Sequence, residues 1–224
     1  MEISRRLLAE GWHVAVTSRR LTPELNSLIG SAGGRLVHRA IDFARPEEVR
    51  AFAEDAMFLD GLDAFVSNAA VGTEGLLTLT SEAAWRECLE VNLLAPMLLA
   101  RQVVKGMLNR GGSLVFISSV AARTGLAGLS AYAASKAALV AFSRVLAREY
   151  GERGIRSNCI LPGYLETELS ASLAAEQKAR LVRRTALGRL GNVQDVAGTV
   201  VFLLSAEAQF ITGTEVVIDG GLTA

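Results

Sequence analysis

Apolar residues along this chain switch repeatedly between two spacings. Ile3, Leu7 and Leu8 recur at helical intervals beside Glu2, Arg5, Arg6 and Glu10, until Gly11 stops the run and Val14, Ala15 and Val16 begin an extended one. A helix therefore comes first and a strand second. The switch repeats to the end of the chain. Strand-like runs fall at residues 14–17, 35–40, 64–67, 113–118, 156–161 and 215–218, and helical patterns at about 22–32, 46–58, 81–109, 130–151 and 193–205. Strands alternating with helices predict parallel pairing through right-handed crossovers, with both sheet faces covered. The expected fold class is α/β, a doubly wound parallel sheet in three layers, with residues 1–224 as one domain. Ligands bind such sheets beyond the carboxyl ends of the strands, so chemistry is sought in the residues just after each strand.

Composition narrows the classes. Half the residues are hydrophobic, enough for one large core, and 23 basic residues balance 23 acidic ones. With no net charge and no basic block interleaved with aromatics, nucleic acid is not an expected partner. No apolar stretch approaches the roughly 20 residues of a membrane span, and no basic-then-apolar leader opens the chain, so a cytoplasmic protein without membrane association is expected. Cys88 and Cys159 fall in a helical and a strand pattern and read as buried thiols. His13 and His38 lack metal-ligand spacing and read as structural, with no metal expected. Trp12 and Trp85 read as packing residues.

Candidate chemistry follows the run at 113–118. Ser118-Ser119 ends it, and Tyr132-Ala-Ala-Ser-Lys136 lies in the next helical pattern. Tyr132 and Lys136, four apart, share one helix face. An ammonium near a phenol favours the phenolate and lowers the tyrosine pKa from its usual value of about 10, which suits a proton donor to a carbonyl oxygen. A hydroxyl from Ser119 could hold the same oxygen. Two polar residues on the solvent face of an amphipathic helix would produce the same spacing, so the pair does not carry a function alone.

The wider pattern does. Asn68-Ala69-Ala70 after a strand, Asn92 in VNLLAP, Ser119, Tyr132, Lys136 and Pro162-Gly163 after another strand resemble the short-chain dehydrogenase/reductase family, whose fold is Rossmann-like. The ending GRLGNVQDVAGTVVFLLS followed by ITGTEVVIDGG is similar to the 3-oxoacyl-acyl-carrier-protein reductase branch. The resemblance implies a ketone reductase in which Tyr132 is the catalytic acid, Ser119 bonds the substrate carbonyl, Lys136 binds the nicotinamide ribose, and Asn92 bends its helix and completes a proton relay. Asn68, Ala69 and Ala70 would line the adenosine side; Ala70 stands where the family carries glycine. Pro162, Gly163 and Thr167 would meet the carboxamide and diphosphate, with Leu165 at the position whose backbone meets the carboxamide. Asp42 matches the position beside the adenine, or caps the helix that follows. Ser18 stands where a strand-ending acid would select NAD, and Arg19 follows it, so NADP is favoured over NAD. By analogy with carrier-protein reductases, Arg110 and Lys178 would face an acidic carrier protein, and residues 81–109 and 130–151 would pair subunits into a dimer or tetramer. Reductases of sugars, steroids and other secondary alcohols share nearly all of these features.

In the family a first strand and a TGxxxGxG turn come before the opening helix, and Met1 falls directly after the place of the third glycine. Two readings follow. The chain is a shortened enzyme with its catalytic tetrad intact, or a non-catalytic form acting as a partner subunit. Because the turn supplies backbone N–H groups to the diphosphate, the chain alone is expected to bind no NADPH and to show no reductase activity. A variant of the short-form reading pairs the strands at 14–17 and 64–67 directly.

Overall fold

The computed structural model describes residues 1–59, 61–167 and 174–224. The strands are β1 (Val14–Ser18), β2 (Leu36–Ala40), β3 (Ala64–Ser67), β4 (Gly112–Ile117), β5 (Ile155–Pro162) and β6 (Glu215–Ile218). The helices are α1 (Glu2–Ala9), α2 (Pro23–Ser31), α3 (Pro46–Ala53), α4 (Ala56–Leu59), α5 (Glu82–Leu89), α6 (Ala95–Met107), α7 (Ser130–Tyr150), α8 (Ala175–Arg184) and α9 (Val193–Leu204). All pairing between strands is parallel, as the alternating pattern requires.

Strand β4 shows how the layers are built. Successive side chains point to opposite faces of a strand. Leu114 and Phe116 enter a core with Val103 and Met107 of α6 and Leu139 of α7, whereas Val115 and Ile117 enter a second core with Val196, Val200 and Leu203 of α9 and Leu7 of α1. A continuous apolar strand is what burial on both faces demands. Helix α6 approaches α4 so closely that a Cβ at Gly106 would sit 2.4 Å from the Phe58 carbonyl oxygen. Helix starts follow local chemistry: Thr22, Ser81 and Asn192 each cap a helix by accepting a backbone N–H.

The strands form two sheets, β1-β2 and β3-β4-β5-β6. The direct pairing of residues 14–17 with 64–67 is not formed; β1 and β3 each carry a ladder on one side only. They are joined through side chains instead. Val14 on β1 and Ala64 and Val66 on β3 pack against the same cluster, which Leu7 of α1 and Val196 and Val200 of α9 belong to.

Two helical expectations are corrected. The pattern at 81–109 is two helices separated by a wide turn of π-helix, Glu90–Leu94, with Pro96 in the first turn of α6. The pattern at 46–58 breaks between α3 and α4, where the Asp55 carboxylate accepts the Met57 N–H and competes with continued helix. The segment after Gly163 contains α8, and residues 168–173 of that segment lie outside the described residues. Among the described residues no helix is long and apolar enough to cross a membrane.

Candidate functional site

Ser119, Tyr132, Lys136 and Asn92 come together where the carboxyl end of β4 meets α7. Ser118 and Ser119 continue from β4, and the Ser118 hydroxyl donates to the Lys136 carbonyl oxygen at 2.8 Å, tying the strand end to the helix that carries Tyr132. Ser119 is extended and its Oγ accepts the Ala121 N–H at 3.1 Å, which caps the short 3-10 turn Val120–Ala122. Its hydroxyl is also hydrogen-bonded to Tyr132.

Lys136 is 2% exposed. Its Nζ donates to the Ile117 carbonyl oxygen at 2.8 Å and lies 5.8 Å from the centre of the Tyr132 ring. Burial lowers its pKa to about 8. Burial likewise raises the pKa of Tyr132, and the Ser119 hydrogen bond opposes this only in part. The sequence expectation that Lys136 lowers the tyrosine pKa is therefore corrected for the protein alone. Desolvation disfavours both charged forms, and the ammonium is tied to a backbone carbonyl rather than to the phenol.

Asn92 is fully buried in the π-turn. Its Oδ1 accepts the Val71 N–H at 2.8 Å, and its Nδ2 donates to the Val71 carbonyl at 3.0 Å and to Ser135 Oγ at 3.1 Å. The Ser135 hydroxyl in turn donates to the Tyr132 carbonyl at 2.7 Å, and the Cys88 sulfur sits 3.3 Å from Nδ2. One amide thus joins the loop after β3 to the helix bearing Tyr132. Ser118, Ser135 and Cys88 were not among the sequence candidates. Ser135 shares a helix face with Tyr132 at three-residue spacing, and Cys88 shares one with Asn92 at four, which is the signal that could have found them.

The remaining candidates lie at other strand ends. Asn68, Ala69 and Ala70 follow β3 and are exposed. Pro162 ends β5, and Gly163 donates its N–H to the Ile218 carbonyl at 2.9 Å; a Cβ there would lie 2.7 Å from the Asp219 Cβ, so only glycine fits. Leu165 bridges to Gly191, and Thr167 is half-buried just beyond it. Ser18 ends β1 and Arg19 follows it. Asp42 follows β2 and spends one carboxylate oxygen on the Ala44 N–H at 3.0 Å, a local turn rather than a helix cap. The structure does not bring Arg110 to this cluster: it precedes β4, at the opposite end from Ser119, and pairs with Asp63 at 3.1 Å.

Lys136 also tests whether a nicotinamide nucleotide fits. An ammonium has three donors, and among the described residues this buried one has a single acceptor, the Ile117 carbonyl. The other two suit the hydroxyls of a ribose set between Tyr132 and the strand ends. The residues present fit the group.

The parallel sheets and this cluster define an NAD(P)-dependent oxidoreductase. The chain belongs to the short-chain dehydrogenase/reductase family. The family described as enoyl-(acyl carrier protein) reductase matches residues 1–223. A 3-oxoacyl-[acyl-carrier-protein] reductase of Salmonella typhimurium is 34% identical over 98% of this chain and 91% of the relative. The solved structure of a gluconate 5-dehydrogenase from Burkholderia cenocepacia, in complex with NADP and tartrate, has a TM-score of 0.91 and 28% identity, covering 99% of this chain and 89% of that one. A candidate 2-deoxy-d-gluconate 3-dehydrogenase from Agrobacterium tumefaciens with bound NADP gives a TM-score of 0.92 and 32% identity over 99% and 90%.

Proposed function

We propose that this chain is an NADPH-dependent reductase of a 3-oxoacyl thioester carried on acyl carrier protein, working in the cytoplasm as a homo-oligomer. The observation that carries the catalytic reading is the convergence of Ser119, Tyr132 and the buried Lys136, whose Nζ lies 5.8 Å from the Tyr132 ring, beside the Asn92 bridge. The 3-oxoacyl substrate rests on the 34% identity to a carrier-protein reductase. Helix α8 supports an acidic partner, because Lys178, Arg180, Arg183 and Arg184 stand there against one acid, Glu176. Exposed apolar side chains beside α6 and on α7, Leu94 and Val145, support pairing with a second copy.

Bound nicotinamide supplies the hydride. The protein's own part is to hold the ketone and deliver a proton. Tyr132, kept neutral by burial, presents its O–H to the carbonyl oxygen, and the Ser119 hydroxyl donates a second bond to that oxygen as it gains negative charge. Lys136 holds the ribose with the donors Ile117 leaves free. Asn92 and Ser135 fix the backbone of Tyr132 so that its ring keeps one position.

The second reading is a dehydrogenase of a sugar acid or another secondary alcohol, favoured by the fold similarity to a gluconate 5-dehydrogenase. Calorimetric titration with NADPH, followed by turnover assays with 3-oxoacyl-carrier protein and with gluconate, separates the readings. Saturable NADPH binding and faster turnover of the carrier-protein substrate are expected. The opposite expectation from the sequence, no NADPH binding by the chain alone, is the result that would return it to the partner-subunit reading. Joining a strand and glycine turn ahead of Met1 and repeating the titration then shows whether the diphosphate cradle was the cause.

A further inference from the structure

His38, read from the sequence as structural, lies against the residue that ends β1. In the β1-β2 register His38 pairs with Val16, so its side chain shares a face with Ser18 two residues on. His38 Nε2 is 2.9 Å from Ser18 Oγ. The Ser18 hydroxyl donates its proton to the Arg20 carbonyl at 2.8 Å. A hydroxyl has one proton, so the histidine must be the donor: Nε2 carries hydrogen and Ser18 Oγ accepts it.

That ordering has a consequence for the turn beyond β1. The chain His38 to Ser18 to Arg20 carbonyl holds residues 18–20 in one conformation, in which Arg19 and Arg20 are exposed and outside any ion pair among the described residues. The nearby charges are otherwise accounted for. Arg39, next to His38 on β2, pairs with Asp55 at 3.7 Å, while Asp42 and Glu48 beyond β2 are engaged with the Ala44 and Asp42 N–H groups. The end of β1 therefore offers two guanidinium groups that no carboxylate pairs with among the described residues, and the imidazole sets the turn that carries them.

Resting on the NADPH reading above, we propose that His38 is the positioning residue for nucleotide selection: through Ser18 it holds Arg19 and Arg20 where they receive the phosphate on an adenosine ribose. A carboxylate at the end of β1 would repel that phosphate. A neutral serine does not, and with its proton spent on the Arg20 carbonyl it leaves the phosphate to the guanidinium groups.

The test is calorimetric titration of the full chain with NADPH and with NADH. His38→Leu is expected to reduce the ratio of NADPH to NADH affinity by about fivefold to tenfold, the scale of one lost hydrogen bond, with NADH affinity changed less than about twofold. His38→Gln, whose amide can still donate to Ser18, is expected to keep most of the ratio. Ser18→Ala is expected to lower it as His38→Leu does, and the double variant to lower it no further, because both act on one interaction. A merely structural histidine would weaken both nucleotides alike. An unsubstituted chain that prefers NADPH with a ratio His38→Leu does not move overturns the inference and leaves the NADPH reading intact. A chain that binds neither nucleotide, or favours NADH, overturns the NADPH reading and this inference with it.

Discussion

The two sheets end their strands in different ways. At the carboxyl end of the four-stranded sheet, Asn92, Ser118, Ser135 and Lys136 are all buried, and each is held by hydrogen bonds to another segment. At the end of the two-stranded sheet, Arg19, Arg20 and Ala40 are exposed, and Ser18 and Asp42 make short-range bonds within the turns they belong to or across one strand pair. The first arrangement suits a reaction, because a proton donor must be held within a fraction of an ångström and an unpaired buried group is costly. The second suits recognition of a charged, solvated group, where exposed cations need little displacement of protein to reach it. On the function proposed above, chemistry and selectivity would be divided between a stiff half and an open half.

The largest effect expected from breaking this division lies in the stiff half. Tyr132→Phe removes the proton donor while leaving the ring and its packing. Ketone reduction should fall by about 10²–10⁴-fold, with NADPH affinity changed less than about twofold. Steady-state turnover beside calorimetric binding checks both. A variant keeping more than about a tenth of the activity would show that another group supplies the proton.

Lys136 comes next, and it sets function against stability. Its pKa is about 8 folded and 10.5 without the fold, so between these values the folded protein binds fewer protons than the unfolded one. Stability therefore rises with pH across that window, by about 3 kcal/mol in all, and the cost of the buried charge is fully present below about pH 8. NADPH affinity should move the other way, falling as the ammonium is lost. Lys136→Met should abolish activity and weaken NADPH binding. It should also raise the melting temperature at pH 7 by on the order of 4 °C, since the lost bond to Ile117 offsets part of the relieved charge burial. Equal melting curves at pH 7 and pH 9.5 for unsubstituted and Lys136→Met protein would show that the amine is not held charged inside the fold.

The open half predicts a smaller and more selective change. Arg19→Ala should reduce the preference for NADPH over NADH by about tenfold or more, the scale of one charge-assisted phosphate contact worth roughly 1.5–3 kcal/mol, and should leave the melting temperature unchanged because the side chain is exposed. An equal loss for both nucleotides would place Arg19 outside the phosphate site.

These halves differed in how much of them was legible from residue order. The strands at 64–67 and 215–218 were readable to the residue, because buried parallel strands are short apolar runs bounded by turn residues. Ser119, Tyr132 and Lys136 could be placed together because a strand end and one helix turn fix them. The π-turn left no mark on periodicity, since the apolar pattern runs through 81–109 unbroken; the bend at Asn92 came only from the family resemblance. The direction of the Tyr132 pKa was hidden too: spacing shows which charge is near but not how much water is excluded. His38 was passed over because its importance lies in cross-strand register, which a single chain read in order does not display.

The smallest expected effect asks whether the halves are also separate in stability. Strands β4 and β5 each pair on both sides, whereas β1 and β3 pair on one. Local opening should therefore cost less at β1-β2 than at β4-β5, and amide hydrogen exchange at Val16 and Val37 should be faster than at Phe116 and Ile160. Thr22 offers a light perturbation of the open half alone: its hydroxyl accepts the Leu25 N–H at 3.2 Å and caps α2, which packs on that pair through Leu25. Thr22→Ala should cost about 1 kcal/mol, close to a fivefold rise in exchange at Val16 and Val37. If the halves open separately, exchange at Phe116 and Ile160 stays as it was. A rise of the same size in all four would mean that the side chains of Val14, Val66 and Leu7 bind the two sheets into one cooperative unit, and that the division seen at the strand ends does not extend into the core.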